Sequence, residues 1–345
     1  MSFSIFSKHL SFILLSLILA NLVFAASNND WSPPKTSEGY PDLQGYWDTA
    51  TLTPFQRPTE LGDKLVYTEE EVRQIKQGEA QELEKFNQAT DPSFTIEDLP
   101  KDCGRGFVGV SCGYNHFWID PGTKVMVVDG EPRTSMITDP KNGQPPSLTP
   151  TAQERRRSMF ASRRNGANAG PESRSLGERC IMSFGSSAGP PMLPQLYNNH
   201  YQIVQNENSV MILAEMVHDV RIIRIDDKHN PKAVQRWMGD SIGHYEGNSL
   251  IIETVNLRPE QGFRGAGANA KYTERLTRVG PNTIKYEFKI DDAESFTQAS
   301  WGGELIFNKS DQQVYEYACH EGNYALPGIL KGARLQEQNE PTNEQ

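Results

Sequence analysis

The segment Asp240-Ser241-Ile242-Gly243-His244-Tyr245-Glu246-Gly247-Asn248-Ser249-Leu250-Ile251-Ile252-Glu253-Thr254 is the most informative in the chain for proton-moving chemistry. Gly247-Asn248 reads as a two-residue hairpin turn, because both residue types tolerate the positive φ that tight turns need. That turn sets Glu246 opposite Ser249, His244 opposite Ile251 and Ile242 opposite Glu253. His244, Glu246 and Glu253 then share one face, with the histidine beside both acids. Carboxylates around an imidazole favour its protonated form, the arrangement of a general acid/base. Ile242 and Ile251 stand on the histidine's face, and Tyr245, Leu250 and Ile252 on the other. The pattern therefore leaves open whether His244 faces a pocket or solvent.

A second set lies near the C-terminus, where Tyr315 and Tyr317 read as one face of a strand leading into Cys319 and His320. Tyr317 and His320 would form an acid/base pair, with Arg221 stabilising developing negative charge. Glu215, His218 and Arg221 fall in the apolar run Met211–Ile225, where charge must be paired or held at a rim. Structural ion pairing is the better expectation there. His244-x-Glu246 supplies only two metal ligands, and no His-Glu-x-x-His, Gly-x-Ser-x-Gly, Walker or dinucleotide motif is present. No cofactor and no metal are expected. The chemistry implied is metal-independent acid/base work, as in a lyase, isomerase or hydrolase.

The elements that must position these groups are mostly strands. Thr283-Ile284-Lys285-Tyr286-Glu287-Phe288-Lys289-Ile290 alternates apolar and polar residues, so one face is core and the other wet. Gly280-Pro281-Asn282 joins that strand to Tyr272–Val279, and 309–313 joins Glu304–Phe307 to a further strand, Val314–Cys319. Turn signals recur about every ten residues from Tyr201 onward. The pattern predicts an antiparallel up-and-down barrel of about ten strands, of lipocalin type, which removes exposed edges. A two-sheet sandwich is the alternative. Thr68 to Glu71 is a capping box opening a helix to about Asn87, and a second helix starts at Thr149-Pro150. Residues 26–66 read as an extended arm, 67–335 as one barrel domain, and 336–345 as a disordered polar tail. Gly262 to Gly267, with Arg264, suits a loop over a barrel mouth.

Leu10 to Phe24 is apolar and uncharged behind Lys8, and Val23-Phe24-Ala25 precedes an abrupt polar turn. This is a signal-peptide pattern with cleavage after Ala25, and the run falls short of the roughly twenty residues a spanning helix needs. The mature protein is expected in the periplasm or secreted, with no membrane anchor. Removing residues 1–25 leaves 33 basic against 44 acidic residues. An acidic chain gains nothing from a phosphate backbone, so nucleic acid is not an expected partner. Cys103, Cys112, Cys180 and Cys319 are an even set in an exported chain and read as disulfides. Cys103 with Cys112 and Cys180 with Cys319 is the favoured pairing of the three possible.

Gly177-Glu178-Arg179-Cys180-Ile181, Tyr197-Asn198-Asn199 with Gln202-Ile203-Val204-Gln205, Trp237 to His244, Thr273 to Val279, and Tyr315 to Ala325 resemble strings of an uncharacterised family of exported bacterial proteins. The resemblance runs from about residue 42 to 334. It implies export and a single shared domain, and lends no activity, cofactor or catalytic residue.

These readings leave two leading functions. One is an exported enzyme acting on a small polar or carbohydrate-derived substrate in a barrel pocket, with His244, His320, Glu246, Glu253, Tyr317 and Arg221 as its catalytic set. The other is a binding protein holding an apolar or aromatic ligand among Tyr286, Phe288 and Phe307. Convergence of the two histidines and their carboxylates in one pocket would mark the enzyme, and their dispersal over outer surfaces the binder. A barrel packed solid with no pocket would mark an envelope scaffold. The export reading predicts that N-terminal sequencing of protein recovered from outside the cytoplasm starts at Ala26, and an intact Met1 there would refute it.

Overall fold

The computed structural model describes residues 31–86, 93, 95, 98, 120–166, 168–183, 189–194 and 199–339. The expected export segment, residues 1–25, and the expected Cys103–Cys112 disulfide lie outside them.

Period-two burial builds the architecture. In β11, Thr283–Asp291, the side chains Ile284, Tyr286, Phe288 and Ile290 are all buried while their neighbours are not. The same alternation runs through β5 (His200–Gln205), β6 (Ser209–Ala214), β7 (Val220–Ile225) and β10 (Lys271–Gly280). β8 (Asp240–Glu246), β9 (Ser249–Val255) and β12 (Ser300–Ser310) complete the run. The ring closes through β1, Gly45–Asp48, which pairs antiparallel with both β12 and β5. The result is a nine-strand barrel, to which β4 (Ile137–Asp139) adds a tenth strand along β12. A small hairpin of β2 (Val127–Val128) and β3 (Glu131–Pro132) stands apart from it.

Strand direction must reverse an even number of times around a closed ring, so nine strands require a parallel contact. β7 and β8 supply it, with Ile223 opposite Ser241 and Ile225 opposite Gly243. Parallel neighbours need a crossover of a dozen or more residues, and the connection 226–239 is long enough to make it.

Among the described residues, three α-helices lie outside the barrel: α1 (Glu69–Phe86), α2 (Pro150–Asn165) and α3 (Ala325–Asn339). The capping box forms as expected. The Glu71 amide donates to Thr68 Oγ1 at 3.3 Å, and the Thr68 amide donates to Glu71 at 2.7 Å. At α2 the Ala152 amide donates to Thr149 Oγ1 at 3.3 Å.

Two expectations are corrected here. Val314–Cys319 is not a strand, because β12 already pairs with β11 on one edge and with β1 and β4 on the other, leaving no edge to join. The tail beyond Leu335 is helical as far as Asn339, Arg334 anchoring α3 by donating to the carbonyls of Asn168 and Ala169 at 2.9 Å. The Cys180–Cys319 disulfide is present.

The interior is filled with side chains. Tyr286 lies against Phe307 at 5.4 Å between centroids, Phe307 against Tyr201 at 5.5 Å, and Phe288 meets Trp301 edge-on at 6.4 Å. Gly262–Gly267 packs onto the same cluster, Phe263 stacking on Trp301 at 6.2 Å, while the Arg264 guanidinium sits 4.7 Å from the Phe55 ring.

Within this apolar interior lies a polar knot. Arg221 pairs with both oxygens of Glu274 and donates to Ser241 at 3.1 Å and Thr254 at 3.2 Å. The Tyr286 hydroxyl donates to Glu274 at 2.7 Å and accepts the Met192 amide at 2.9 Å, pinning the buried segment around Met192 to the barrel wall. Burial and the Glu274 charge push the Tyr286 phenol well above its ordinary pKa. Gly189 has φ +95°, and a Cβ there would run into the Arg221 guanidinium. Removing one member of a buried ion pair leaves an uncompensated charge, at a cost of about 3–5 kcal/mol. Arg221→Met is therefore expected to lose about that much stability in urea unfolding, and Arg221→Met with Glu274→Leu to recover most of it. A double variant no more stable than the single one would show that the knot is not a matched pair.

Candidate functional site

Outward side chains of β12, β1, β5 and β6 line up in rows because paired residues in an antiparallel sheet stand side by side. Asn308, Asp48 and His200 are successive partners, and the Glu215 amide donates to the His200 carbonyl at 3.0 Å, continuing that row. Ser310, Tyr46, Gln202, Leu213 and Val220 form the next.

The chain after β12 turns back over these rows. Gln313 to Tyr317, together with Tyr46, Gln202, Leu213, Glu215 and His218, encloses an open cleft of about 280 Å³. That is near the lower end of ligand-site volumes, about 300–1,000 Å³. Glu215 anchors this strap, accepting the Tyr315 amide at 3.0 Å. Its carboxylate also lies 3.7 Å from His200 Nδ1, and His200 Nε2 meets the Ser310 hydroxyl at 2.9 Å. At the head of the row Asp48 has its pKa raised by burial, with the Asp120 charge adding to the rise and the Ala50 amide and His200 opposing it.

The turn that presents Glu215 and His218 is strained. Val217 and His218 have φ of 59° and 49°, a region that costs a β-branched valine dearly. Such strain persists where the surroundings over-determine it, and here the Asp219 carbonyl accepts the Ala214 amide at 2.8 Å to close the turn.

The sequence-derived candidates do not converge on this cleft. Of the proposed catalytic set only Tyr317 lines it, beside Tyr315, which is 71% exposed, and Glu215 and His218 from the run expected to hold structural ion pairs. His320 is exposed in the turn after Cys319, and its carbonyl accepts the Asn323 amide. Arg221 is 2% exposed and points into the barrel, where the interior knot occupies it.

The His244 hairpin has the expected register, His244 opposite Ile251 and Ile242 opposite Glu253, with Gly247 at φ 57°. Its histidine face is the outer wall. His244 meets Glu246 at 3.1 Å with both side chains 52% exposed, and Arg275 takes the other Glu246 oxygen at 2.8 Å. Glu253 turns away from His244, to Lys271 at 2.8 Å and His229 at 3.2 Å.

His229 was not singled out in the sequence, because it sits in an unpatterned connection. The crossover 226–239 carries it over the wall, where Nδ1 meets the buried Asp240 carboxylate at 2.9 Å. Asp240 also accepts from Arg224 at 2.8 Å and from the Asn230 amide at 2.9 Å. Burial alone would raise its pKa, but these donors outweigh burial and hold the carboxyl well below the usual range. Among the described residues, no group of three or more His, Cys, Asp or Glu is placed to hold a metal ion. No helix among them is long and apolar enough to cross a membrane.

No family model matches the chain, and no curated protein matches it.

Because Asp240 has a lower pKa folded than unfolded, it contributes stability above about pH 4 that is lost as the pH falls through the folded value. Asp240→Asn is expected to be less stable than the parent at pH 6, the gap narrowing by pH 3 in chemical denaturation. A gap of equal size at both pH values would overturn this assignment.

Proposed function

We propose that this is an exported protein, working in the periplasm or outside the cell, that binds a small polar, carbohydrate-like ligand in the cleft under the 313–317 strap. The observation that carries this reading is the convergence of Tyr46 and Tyr317 with Gln202, Glu215 and His218 on one cleft, with Tyr315 at its edge. A sugar ring has an apolar C–H face and a polar rim. Tyrosines offer rigid amphipathic surfaces for the first, and the amide, carboxylate and imidazole offer hydrogen bonds to the second. The dispersal of His244, His320 and Arg221 supports binding over the catalytic set built on them. Export draws its support from the signal-peptide pattern and from the Cys180–Cys319 disulfide, a bond that persists in oxidising compartments.

A second reading, acid/base turnover at the same cleft, is favoured by the Glu215–His200 contact. Glu215 would then exchange a proton with the ligand, and His200 would position it. Calorimetric titration with monosaccharides and their methyl glycosides separates the readings when every mixture is also followed by mass spectrometry. Saturable one-to-one binding without product, weakened about tenfold by Tyr317→Ala and unchanged by His244→Ala, is the expected result. Product that disappears in Glu215→Gln would replace binding by catalysis, and no binding across the panel would overturn the proposal.

A further inference from the structure

The outer wall beside the cleft does not become polar, as a solvated sheet face ordinarily does. Along β6 the outward residues run from Glu215, just past the strand, to Leu213 and then Met211. The partners change in step. Leu213 stands between Gln202 and Val220, whereas Met211 stands between Val204 and Ile222. Val204, Val220 and Ile222 are 37%, 43% and 50% exposed. The wall is thus graded in three rows: polar at His200 and Glu215, mixed at Gln202 and Leu213, and apolar at Met211 and Ile222. Side chains two apart on a strand are spaced about 7 Å, so the gradient runs over roughly 13 Å.

From this gradient we infer that the ligand of the cleft is an amphiphile, with a sugar-like head at Glu215 and His218 and a hydrocarbon chain laid across Leu213, Met211, Val220 and Ile222. The inference rests on the cleft being a sugar-type site and adds the class of aglycone. Leu213 is shared between the two regions. It lines the cleft and also begins the apolar strip, so a ligand seated at the head meets the strip without crossing a polar row. The strip is also narrow. In the Met211 row the next outward position beyond Ile222 is on β8, where Asp240 and Ile242 flank the parallel contact and the Arg224 guanidinium and the His229 ring cover the Asp240 carboxylate. A strip three strands wide and bounded by charge fits a single chain better than a broad partner surface.

The test compares methyl, butyl and octyl glucoside by calorimetry, each below its micelle threshold, on the full mature chain. Burying a methylene tightens binding by up to about fourfold, so octyl glucoside is expected to bind at least about tenfold more tightly than methyl glucoside. Ile222→Thr and Val220→Thr keep a β-branched side chain on an exposed strand position, so the fold is retained. Both variants are expected to lose the dependence on chain length while binding methyl glucoside as the parent does. Equal affinity for methyl and octyl glucoside would overturn the amphiphile and leave the sugar site standing. Absence of binding by all three would remove both. Sedimentation that shows a dimer of this chain dispersed by Ile222→Thr, with chain length immaterial, would assign the strip to self-association and overturn the inference.

Discussion

Ring closure is the constraint on which the rest of this structure depends. A sheet with free ends leaves two rows of unpaired amides, and β12 would be one of those ends. β1 covers it, contributing only four residues but pairing on both sides, Trp47 facing inward between Lys309 and Tyr201. Because the closing strand comes from the N-terminal segment, the remaining eight run in sequence around the ring. Nine strands then force the single parallel contact, and that contact forces the crossover 226–239. The Asp240–His229–Glu253 cluster exists because that crossover must pass over the outer wall somewhere.

Closure also decides where function can lie. A barrel of this size has an interior narrow enough for side chains to fill, and here tyrosine, phenylalanine and tryptophan rings occupy it together with the segment around Met192. The Arg221–Glu274 pair survives inside because Glu274 is matched by Arg221 and by the Tyr286 hydroxyl. The cleft lies on the outside of the ring, where the chain after β12 forms it by folding back over β1, β5 and β6. Its disulfide at Cys319 ties the end of that strap to Cys180, which limits how far it can lift.

The outer wall therefore carries two kinds of polarity. Around His244, charged groups are paired and well exposed to water, which makes them ordinary surface. Around Glu215 they are largely shielded by the strap, presented by a turn with two consecutive residues in the left-handed region, and set beside apolar side chains that stay exposed. Histidines and carboxylates occur in both places, and burial and surroundings separate them.

Much of the architecture was legible in the chain. Alternation in Thr283–Ile290 set its inward face, Gly247-Asn248 set the register of the His244 hairpin, and Thr68 with Glu71 set the start of α1, because these are contacts between near neighbours. Cysteine parity and the export pattern pointed to disulfides but left three pairings open, of which the favoured one contains the Cys180–Cys319 bond that is present. Which face of the His244 hairpin looks inward was not legible, since Ile242 and Ile251 on one side balance Tyr245, Leu250 and Ile252 on the other. The inward Ser241, with Arg221 and Thr254 beside it, decides the matter, and these residues meet only once β7 and β8 are joined. The cleft was equally hidden: Tyr46, Gln202, Glu215 and Tyr317 are far apart in the chain and are assembled by strand pairing and a fold-back. Local periodicity determines strands and turns by itself, whereas the inside, the outside and the site are properties of closure, which no short stretch of sequence contains.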